Sequence, residues 1–186
     1  MILSQKLEVF PDFKQKEQLE RMFGMRRFCF NKGLHELKKV FGKSLSDKVE
    51  DKKLNKTFIM KMRREVFRDH FAKLIKTIPF HVMDNALEDL FKAVQSLKSK
   101  NKWKKGKKQE KNNLNRVRKG KSPHLNTVYF RKKKYSNSCR IHKSGNGFSN
   151  KGKSLRIPRL GWLNTTEELR WKNVDIKLVT LSKKSW

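Results

Sequence analysis

Residues 2–12 read Ile-Leu-Ser-Gln-Lys-Leu-Glu-Val-Phe-Pro-Asp. Apolar and polar side chains alternate over residues 2–10, with Gln5 as the exception, and this period of two predicts a half-buried β-strand. The Pro-Asp pair ends the strand. Asp12 is a favourable helix N-cap, and Gln15 stands three residues later, which is the spacing of a capping box. The sequence therefore predicts a strand that passes directly into a helix.

Three segments after this strand have apolar residues at helical spacing. They cover residues 13–42, 55–76 and 80–98. In each segment the apolar residues recur every three or four positions, as they do on one face of an amphipathic helix. Gly24 is a candidate break in the first helix. Together the three segments predict a small three-helix bundle.

Short strand-like segments follow the helices. They cover residues 127–130, 138–141, 155–157 and 174–181, with glycines between them that mark turns. The alternation in the last segment predicts one shared face for Val174, Ile176, Leu178 and Thr180. Because one strand precedes the helices and several strands follow them, we predict an α+β fold. Its architecture would be a small β-barrel split by the inserted three-helix bundle.

Positive charge is concentrated in about a third of the chain. Residues 98–156 contain 21 Lys and Arg against a single acid, Glu110, and the whole chain has a formal net charge of +31. Aromatic residues interrupt this segment, and rings among cations suit base stacking as well as phosphate neutralisation. Because a block of like charges repels itself unless a dense anion is present, we predict nucleic-acid binding. The alternatives are a basic linker and a surface that attracts ribosomes without specificity.

Within the basic block, residues 99–125 have no regular period. Lys, Asn and Gly dominate this stretch, and aliphatic residues are almost absent from it. We predict a flexible, basic connection there. It would separate a helical part, residues 12–98, from a second β-rich part, residues 126–186.

The sequence contains no recognisable catalytic or metal-binding constellation. Of the 17 acids, 13 precede residue 98 and only Asp175 lies in a strand-like segment, and one carboxylate cannot build a two-metal site. The five His are scattered, and Cys29 and Cys139 lack metal-ligand spacing. We therefore expect this chain to contain no catalytic residue, metal or cofactor. Two cysteines favour a reduced compartment, and a long-range disulfide stays open as an alternative.

Targeting and membrane signals are also missing from the sequence. The N-terminal residues do not have the pattern of a signal peptide, and no run approaches the roughly 20 apolar residues that a membrane span needs. These features predict a soluble, cytoplasmic protein without a membrane partner.

Three sets of motifs follow one another along the chain. Residues 23–34 read Phe-Gly-Met-Arg-Arg-Phe-Cys-Phe-Asn-Lys-Gly-Leu. Residues 85–90 read Asn-Ala-Leu-Glu-Asp-Leu, and after a basic stretch residues 129–133 read Tyr-Phe-Arg-Lys-Lys. Residues 155–162 read Leu-Arg-Ile-Pro-Arg-Leu-Gly-Trp. In order and spacing over nearly the whole chain, these motifs resemble the TnpB (OrfB) proteins of bacterial insertion sequences.

The individual motifs differ in how specific they are. The first is similar to the family's Phe-Gly-x-x-Arg-Phe-x-Tyr-Asn pattern, with Phe30 in place of the usual Tyr. The last is similar to the family's Leu-Pro-Lys-Leu-Gly-Trp signature and is the most specific of the three.

The resemblance implies a fold and an activity. TnpB proteins are RNA-guided DNA nucleases related to the type V CRISPR effectors, and were long described as transposases. The family's pattern implies a wedge-type, oligonucleotide-binding-like β-barrel from residues 1–11 and 126–186. A helical recognition domain (12–98) and the basic connection (99–125) would be inserted in it. A RuvC-like nuclease domain follows in the family, whereas this sequence stops at Trp186, before that domain's carboxylates.

The resemblance also implies partners. We expect a chain that binds a guide RNA and double- or single-stranded DNA beside the target, in the nucleoid, without cutting DNA by itself. Mg²⁺ would act only if a RuvC-like domain is supplied separately. The alternatives are the non-catalytic subunit of a split nuclease, with the RuvC-like part on another chain, and a degenerate insertion-sequence remnant.

The expected nucleic-acid contacts fall in four groups, and Trp162 is expected in the barrel core. The contacts are Arg26, Arg27 and Lys32 on the first helix; Lys104, Lys105, Lys107 and Lys108 in the basic connection; Tyr129, Phe130, Arg131, Lys132, Lys133 and Lys134 around the aromatic pair; and Arg159 in the last motif.

Overall fold

The computed structural model of the chain describes residues 4–41, 78–104, 114–115, 117–120, 128–135, 137–143, 147–171 and 175–183. The helix predicted over residues 55–76 lies outside these ranges. Within them the fold is α+β, with two long helices and two small antiparallel sheets. The predicted fold class is therefore confirmed, whereas the split barrel and the three-helix bundle stay predictions.

The elements in chain order are β1 (Val9–Phe10), α1 (Phe13–Phe41), α2 (Phe80–Lys104), a 3-10 turn (Lys133–Tyr135), β2 (Ser138–His142), β3 (Ser149–Lys151), β4 (Ser154–Ile157), β5 (Gly161–Thr165) and β6 (Leu178–Ser182).

The chain forms two compact units, each with buried apolar residues. The first unit comprises Met1–Arg27, Phe71–Asn85 and Lys132–Trp186, and it contains both sheets. Its most buried side chains include Met22, Val82, Cys139, Ile141, Ile157 and Leu163. The second unit comprises Phe28–His70 and Ala86–Arg131. Its buried side chains come from α1 and α2 and include Cys29, Phe30, Leu34, Leu37, Leu87, Leu90 and Val94.

The larger sheet has the strand order β1-β5-β4-β3, and all of its neighbours are antiparallel. Leu155 on β4 is paired with Leu163 on β5, and both side chains are buried. The intervening residues Arg156 and Trp162 also face each other across the two strands, and both are exposed. This sheet thus has one apolar, buried face and one face open to solvent, as antiparallel sheets commonly do.

The strand predicted over residues 2–10 is much shorter than expected. Among the described residues 4–10, only Val9–Phe10 pairs with β5 as a strand, and Thr166 N donates to Glu8 O just before it (3.1 Å). Further upstream the side-chain amide of Gln5 makes the contacts: its Nε2 donates to Glu168 O (3.1 Å), and its Oε1 accepts from Arg170 N (2.9 Å). The residue that interrupts the alternation is therefore the one that supplies the polar contacts.

The second sheet pairs β2 with β6 in antiparallel register. Cys139 faces Leu181 and both are buried, whereas Leu178 is 43% exposed. The strand begins at Leu178, later than predicted, and the predicted alternation holds for Leu178 and Thr180, which share its exposed face while Leu181 is buried. The strand predicted over residues 127–130 was wrong, since residues 128–130 are not in a strand.

Helix α1 begins with the predicted capping box. Asp12 N donates to Gln15 Oε1 (3.0 Å), and Gln15 N donates to Asp12 Oδ1 (2.8 Å). The same Gln15 amide also donates, through Nε2, to Leu160 O (3.3 Å) and Trp162 O (2.8 Å). One side chain thus caps the helix and attaches it to the turn that enters β5. Gly24 does not break the helix.

Replacing Gln15 should separate these two roles. Gln15→Ala removes the cap and both tertiary hydrogen bonds, and we expect a loss of about 1–2 kcal/mol in the free energy of unfolding. Gln15→Glu keeps an acceptor for Asp12 N but has no proton for the carbonyls of Leu160 and Trp162 at neutral pH. We expect it to be destabilised as well, as measured by urea denaturation. A wild-type stability for Gln15→Glu would mean that only the cap contributes.

Helix α2 continues beyond its predicted end, since residues 99–104 are helical rather than part of an irregular connection. Near its start, the buried Asn85 side chain holds β2: Nδ2 donates to Arg140 O (2.8 Å), and Oδ1 lies 3.1 Å from His142 Nε2. The first residue of the Asn-Ala-Leu-Glu-Asp-Leu motif therefore has a structural role in the first unit.

Candidate nucleic-acid interface

Two of the expected contact residues on α1 are engaged within the first unit. Arg26 is 9% exposed, and its Nη1 donates to Ser138 O (2.6 Å) and to Ser138 Oγ (2.7 Å). Arg27 Nη1 donates to Asn137 Oδ1 (2.8 Å). These guanidinium groups attach α1 to the start of β2. Arg26 is buried with these partners, and its contact role stays a prediction.

Lys32 lies in the second unit and has an acidic partner. Its Nζ is 3.1 Å from Glu36 Oε1, and Lys39 Nζ is 3.5 Å from the same oxygen. The hydrogen bond from Lys32, with help from the charge of Lys39, lowers the pKa of Glu36. A surface ion pair of this kind contributes little to stability. Lys32 thus has an acidic partner in this structure, and its contact role stays a prediction.

Arg131, also in the second unit, is held on three sides. Its backbone N donates to Asn31 Oδ1 (2.7 Å), and Asn31 Nδ2 donates to Arg131 O (3.0 Å). Its Cζ lies 3.9 Å from the centroid of the Phe30 ring, and its Nη2 is 3.3 Å from Asp89 Oδ2. The side chains of Arg131 and Asp89 are only 23% and 13% exposed. This arrangement contradicts a freely solvated Arg131 and makes the residue a structural clamp.

The aromatic residues before Arg131 remain accessible. Tyr129 is 66% exposed and Phe130 is 48% exposed. Lys38 Nζ lies 4.8 Å from the centroid of the Phe130 ring, which is a cation–π distance. Both rings are therefore exposed enough for a nucleic-acid base to stack on them, and this contact stays a prediction.

Lys132, Lys133 and Lys134 belong to the first unit and are all exposed. Lys133 and Lys134 begin the 3-10 turn. The charge of Lys133 also contributes to lowering the pKa of Glu20, although the hydrogen bond from Lys183 is the larger cause. Their exposure is compatible with phosphate contacts.

The open face of the larger sheet carries residues that the sequence did not predict as nucleic-acid contacts. Trp162 is 47% exposed and Phe10 is 57% exposed, and Lys151 and Arg156 are exposed as well. The core position predicted for Trp162 was wrong, because β5 buries Leu163 and so turns Trp162 outward. The available signal was the alternation in Gly-Trp-Leu-Asn-Thr, which places the apolar Leu163 opposite in phase to Trp162.

Arg159 occupies a tight turn between β4 and β5. Leu160 N donates to Ile157 O across the turn (3.0 Å), and Pro158 precedes an Arg159 whose φ is 70°. A type II turn needs positive φ at its third residue, a position that normally belongs to Gly. An exposed arginine therefore stands where a glycine would be less strained, and this position keeps it as a candidate contact.

The remaining expected contacts lie in the basic connection. Lys104 is the last residue of α2. Lys105, Lys107 and Lys108 fall outside the part of the chain that the structure describes.

Asp175 and the two cysteines have surroundings that favour a structural role over a catalytic one. Asp175 accepts hydrogen bonds from Lys143 and Lys177, and these bonds lower its pKa. Neither Cys29 nor Cys139 forms a disulfide, and both are buried; burial raises the pKa of the Cys139 thiol to about 12. No group of three or more His, Cys, Asp or Glu that could hold a metal occurs among the residues described.

Comparison with known families concerns the N-terminal part of the chain. Residues 1–44 match the family model HTH_OrfB_IS605, a helix-turn-helix domain. Over these residues the chain is similar to the N-terminal portion of IS605 OrfB (TnpB) proteins. The match supports a DNA-binding protein of the transposase family. No curated protein matches the chain.

The matched segment differs in one respect from what the description 'helix-turn-helix' implies. Residues 13–41 form one uninterrupted helix after β1, so no turn between two helices occurs within residues 4–41. Among the described helices, none has a stretch apolar and long enough to cross a bilayer.

Proposed function

We propose that this chain is the nucleic-acid-binding part of a TnpB-like, RNA-guided DNA endonuclease. It would bind a guide RNA and the DNA beside the target, and it would not cleave DNA by itself. The family match of residues 1–44 supports the DNA-binding part of this proposal. The wedge-type barrel with an inserted helical bundle is the architecture that we propose to carry it.

One observation carries the proposal: exposed cations on the larger sheet and on its β4–β5 turn have no acidic partner among the described residues. Lys151, Arg156 and Arg159 are exposed, and within the described residues none of them forms an ion pair. Elsewhere in the first unit, by contrast, Lys143 and Lys177 pair with Asp175, and Lys183 pairs with Glu20. Exposed cations that have no ion-pair partner among the described residues are what phosphate binding needs.

The matched test compares two triple variants with the same change in net charge. Neutralising Lys151, Arg156 and Arg159 to Gln should weaken binding to both RNA and duplex DNA. It should also reduce the log–log salt slope by about 1 per lost phosphate contact. Neutralising Lys143, Lys177 and Lys183 to Gln changes the long-range field by the same three charges. Because these lysines already pair with carboxylates, we expect the salt slope of this second variant to stay close to that of the wild type.

Equal slopes for the two variants would mean that only overall charge matters and would contradict a specific binding surface. The same preparation should leave duplex DNA intact in Mg²⁺ or Mn²⁺, because the chain lacks a recognisable two-metal carboxylate site. Metal-dependent cutting by the pure protein would overturn the non-catalytic part of the proposal.

A further inference from the structure

The open face of the larger sheet combines two large exposed rings with cations. Phe10 on β1 and Trp162 on β5 are about half exposed, although rings of this size are usually buried in a core or an interface. A pair of exposed aromatic side chains on a regular sheet indicates a surface that is covered by a ligand.

The strand register places these side chains on one face. Phe10 is paired with Asn164 across β1 and β5, and Asn164 is two residues from Trp162 on the same strand. Residues two apart on a strand share a face. Phe10 and Trp162 are therefore diagonal neighbours, about 7–8 Å apart by the usual geometry of antiparallel pairs.

The cations lie beside the rings on the same face. Arg156 is the direct partner of Trp162. Lys151 pairs with Ser154, which in turn pairs with Asn164. Lys151 therefore lies in the same cross-strand row as Phe10, and Arg156 lies in the same row as Trp162. None of the residues in β1, β3, β4 or β5 is acidic.

The open face of the larger sheet has a rigid support. Its opposite face buries the Leu155–Leu163 pair. Gln15 Nε2 donates to the carbonyl of Trp162 itself, so the helix cap fixes the backbone that carries the ring. A ring on a fixed backbone loses little conformational freedom when it stacks.

We infer that this face, formed by Phe10, Trp162, Arg156 and Lys151, is a stacking platform for single-stranded nucleic acid. Two successive bases lie on the two rings, and the adjoining phosphates meet the cations. A duplex keeps its base faces inside its own stack, so it can contact the cations but not the rings. A protein partner is a poorer fit, because the four strands carry positive charge and no acid. The inference rests on the proposed function and specifies its ligand.

The test titrates wild-type chain and ring variants with single-stranded oligonucleotides, oligo-dT and oligo-rU, and with a duplex of equal length. Stacking on one ring contributes about 1–3 kcal/mol per base, so Trp162→Ala should weaken single-strand binding about 5- to 150-fold. Phe10→Ala should weaken it in the same direction. Both variants should bind duplex DNA as wild type does and keep the wild-type salt slope, because no phosphate contact is lost. Trp162→Phe keeps a ring and should retain most of the affinity.

The control for lost apolar surface is Leu178→Ala, since Leu178 is an exposed side chain on the other sheet, and it should not change binding. Fluorescence gives a second readout: oligonucleotide should quench the emission that wild type has and Trp162→Phe lacks. Binding of oligo-dT and oligo-rU alike supports a platform that contacts bases only, and preference for oligo-rU supports one that also contacts the 2′-hydroxyl.

Two results would overturn the inference, and they are distinct from failure of the proposed function. Wild-type single-strand affinity in both ring variants, together with unquenched Trp162, would exclude stacking while leaving charge-driven binding intact. Equal losses for single strand and duplex in Trp162→Ala would mean that the ring maintains the sheet rather than stacking bases. If the wild-type chain binds neither oligonucleotide nor duplex, the proposed function itself fails.

Discussion

The affinity of the chain for nucleic acid is expected to fall on the order of 10³- to 10⁵-fold between 50 and 200 mM salt, if about eight phosphates are neutralised. The physical reason is counterion release: each bound phosphate frees condensed cations, and added salt reduces the entropy gained. The chain has 48 Lys and Arg against 17 acids, so its binding should be dominated by this term. Filter binding over a salt series measures the slope.

Circular dichroism at both salt concentrations serves as the control for unfolding. If the affinity of the folded protein did not change with salt, phosphate contacts would not drive binding. This result would contradict the proposed function. A steep slope for the duplex together with a shallower one for single strands would agree with the lower charge density of a single strand.

Arg131→Ala should lower the free energy of unfolding by about 2–3 kcal/mol. The substitution removes the guanidinium stacked on Phe30 and leaves the largely buried carboxylate of Asp89 without this ion-pair partner. Arg131→Lys should recover only part of the loss, because an ammonium keeps the charge but cannot stack as a plane. Chemical denaturation measures both variants.

Lys132→Ala is the matched comparison, since it removes the same charge from the next, exposed residue. We expect its stability to stay within about 0.5 kcal/mol of wild type. If Arg131→Ala were as stable as Lys132→Ala and bound RNA less tightly, the clamp assigned to Arg131 would be wrong. Arg131 would then act as a nucleic-acid contact, as the sequence suggested.

The sequence predicted those features that depend on neighbours within a few residues. The period of α1 and its capping box at Asp12 and Gln15 follow from local spacing and short-range hydrogen bonds. The strands around residues 138–142 and 154–157 follow from the local pattern of apolar residues between turns. Strands of polar composition, such as Ser149–Lys151, were missed because pairing rather than propensity makes them strands.

Whether each cation is exposed to a ligand could not be predicted from local sequence. Arg26 is buried against Ser138, which is 112 residues away in the chain. Arg131 is clasped by Asn31, which is 100 residues away. In the sequence both arginines stand among other basic residues and look equivalent to them, since a side chain's exposure and partners are set by distant segments.

Local sequence thus determined helix α1, the strands around residues 138–142 and 154–157, the positive charge of the chain and its likeness to the OrfB family, because period, capping and composition are properties of short stretches. Tertiary structure alone decided which charges bind other parts of the protein and which remain open to a ligand. It also decided that Trp162 faces solvent, because the buried face of β5 is chosen by the packing of Leu163 against Leu155 and not by the size of the ring.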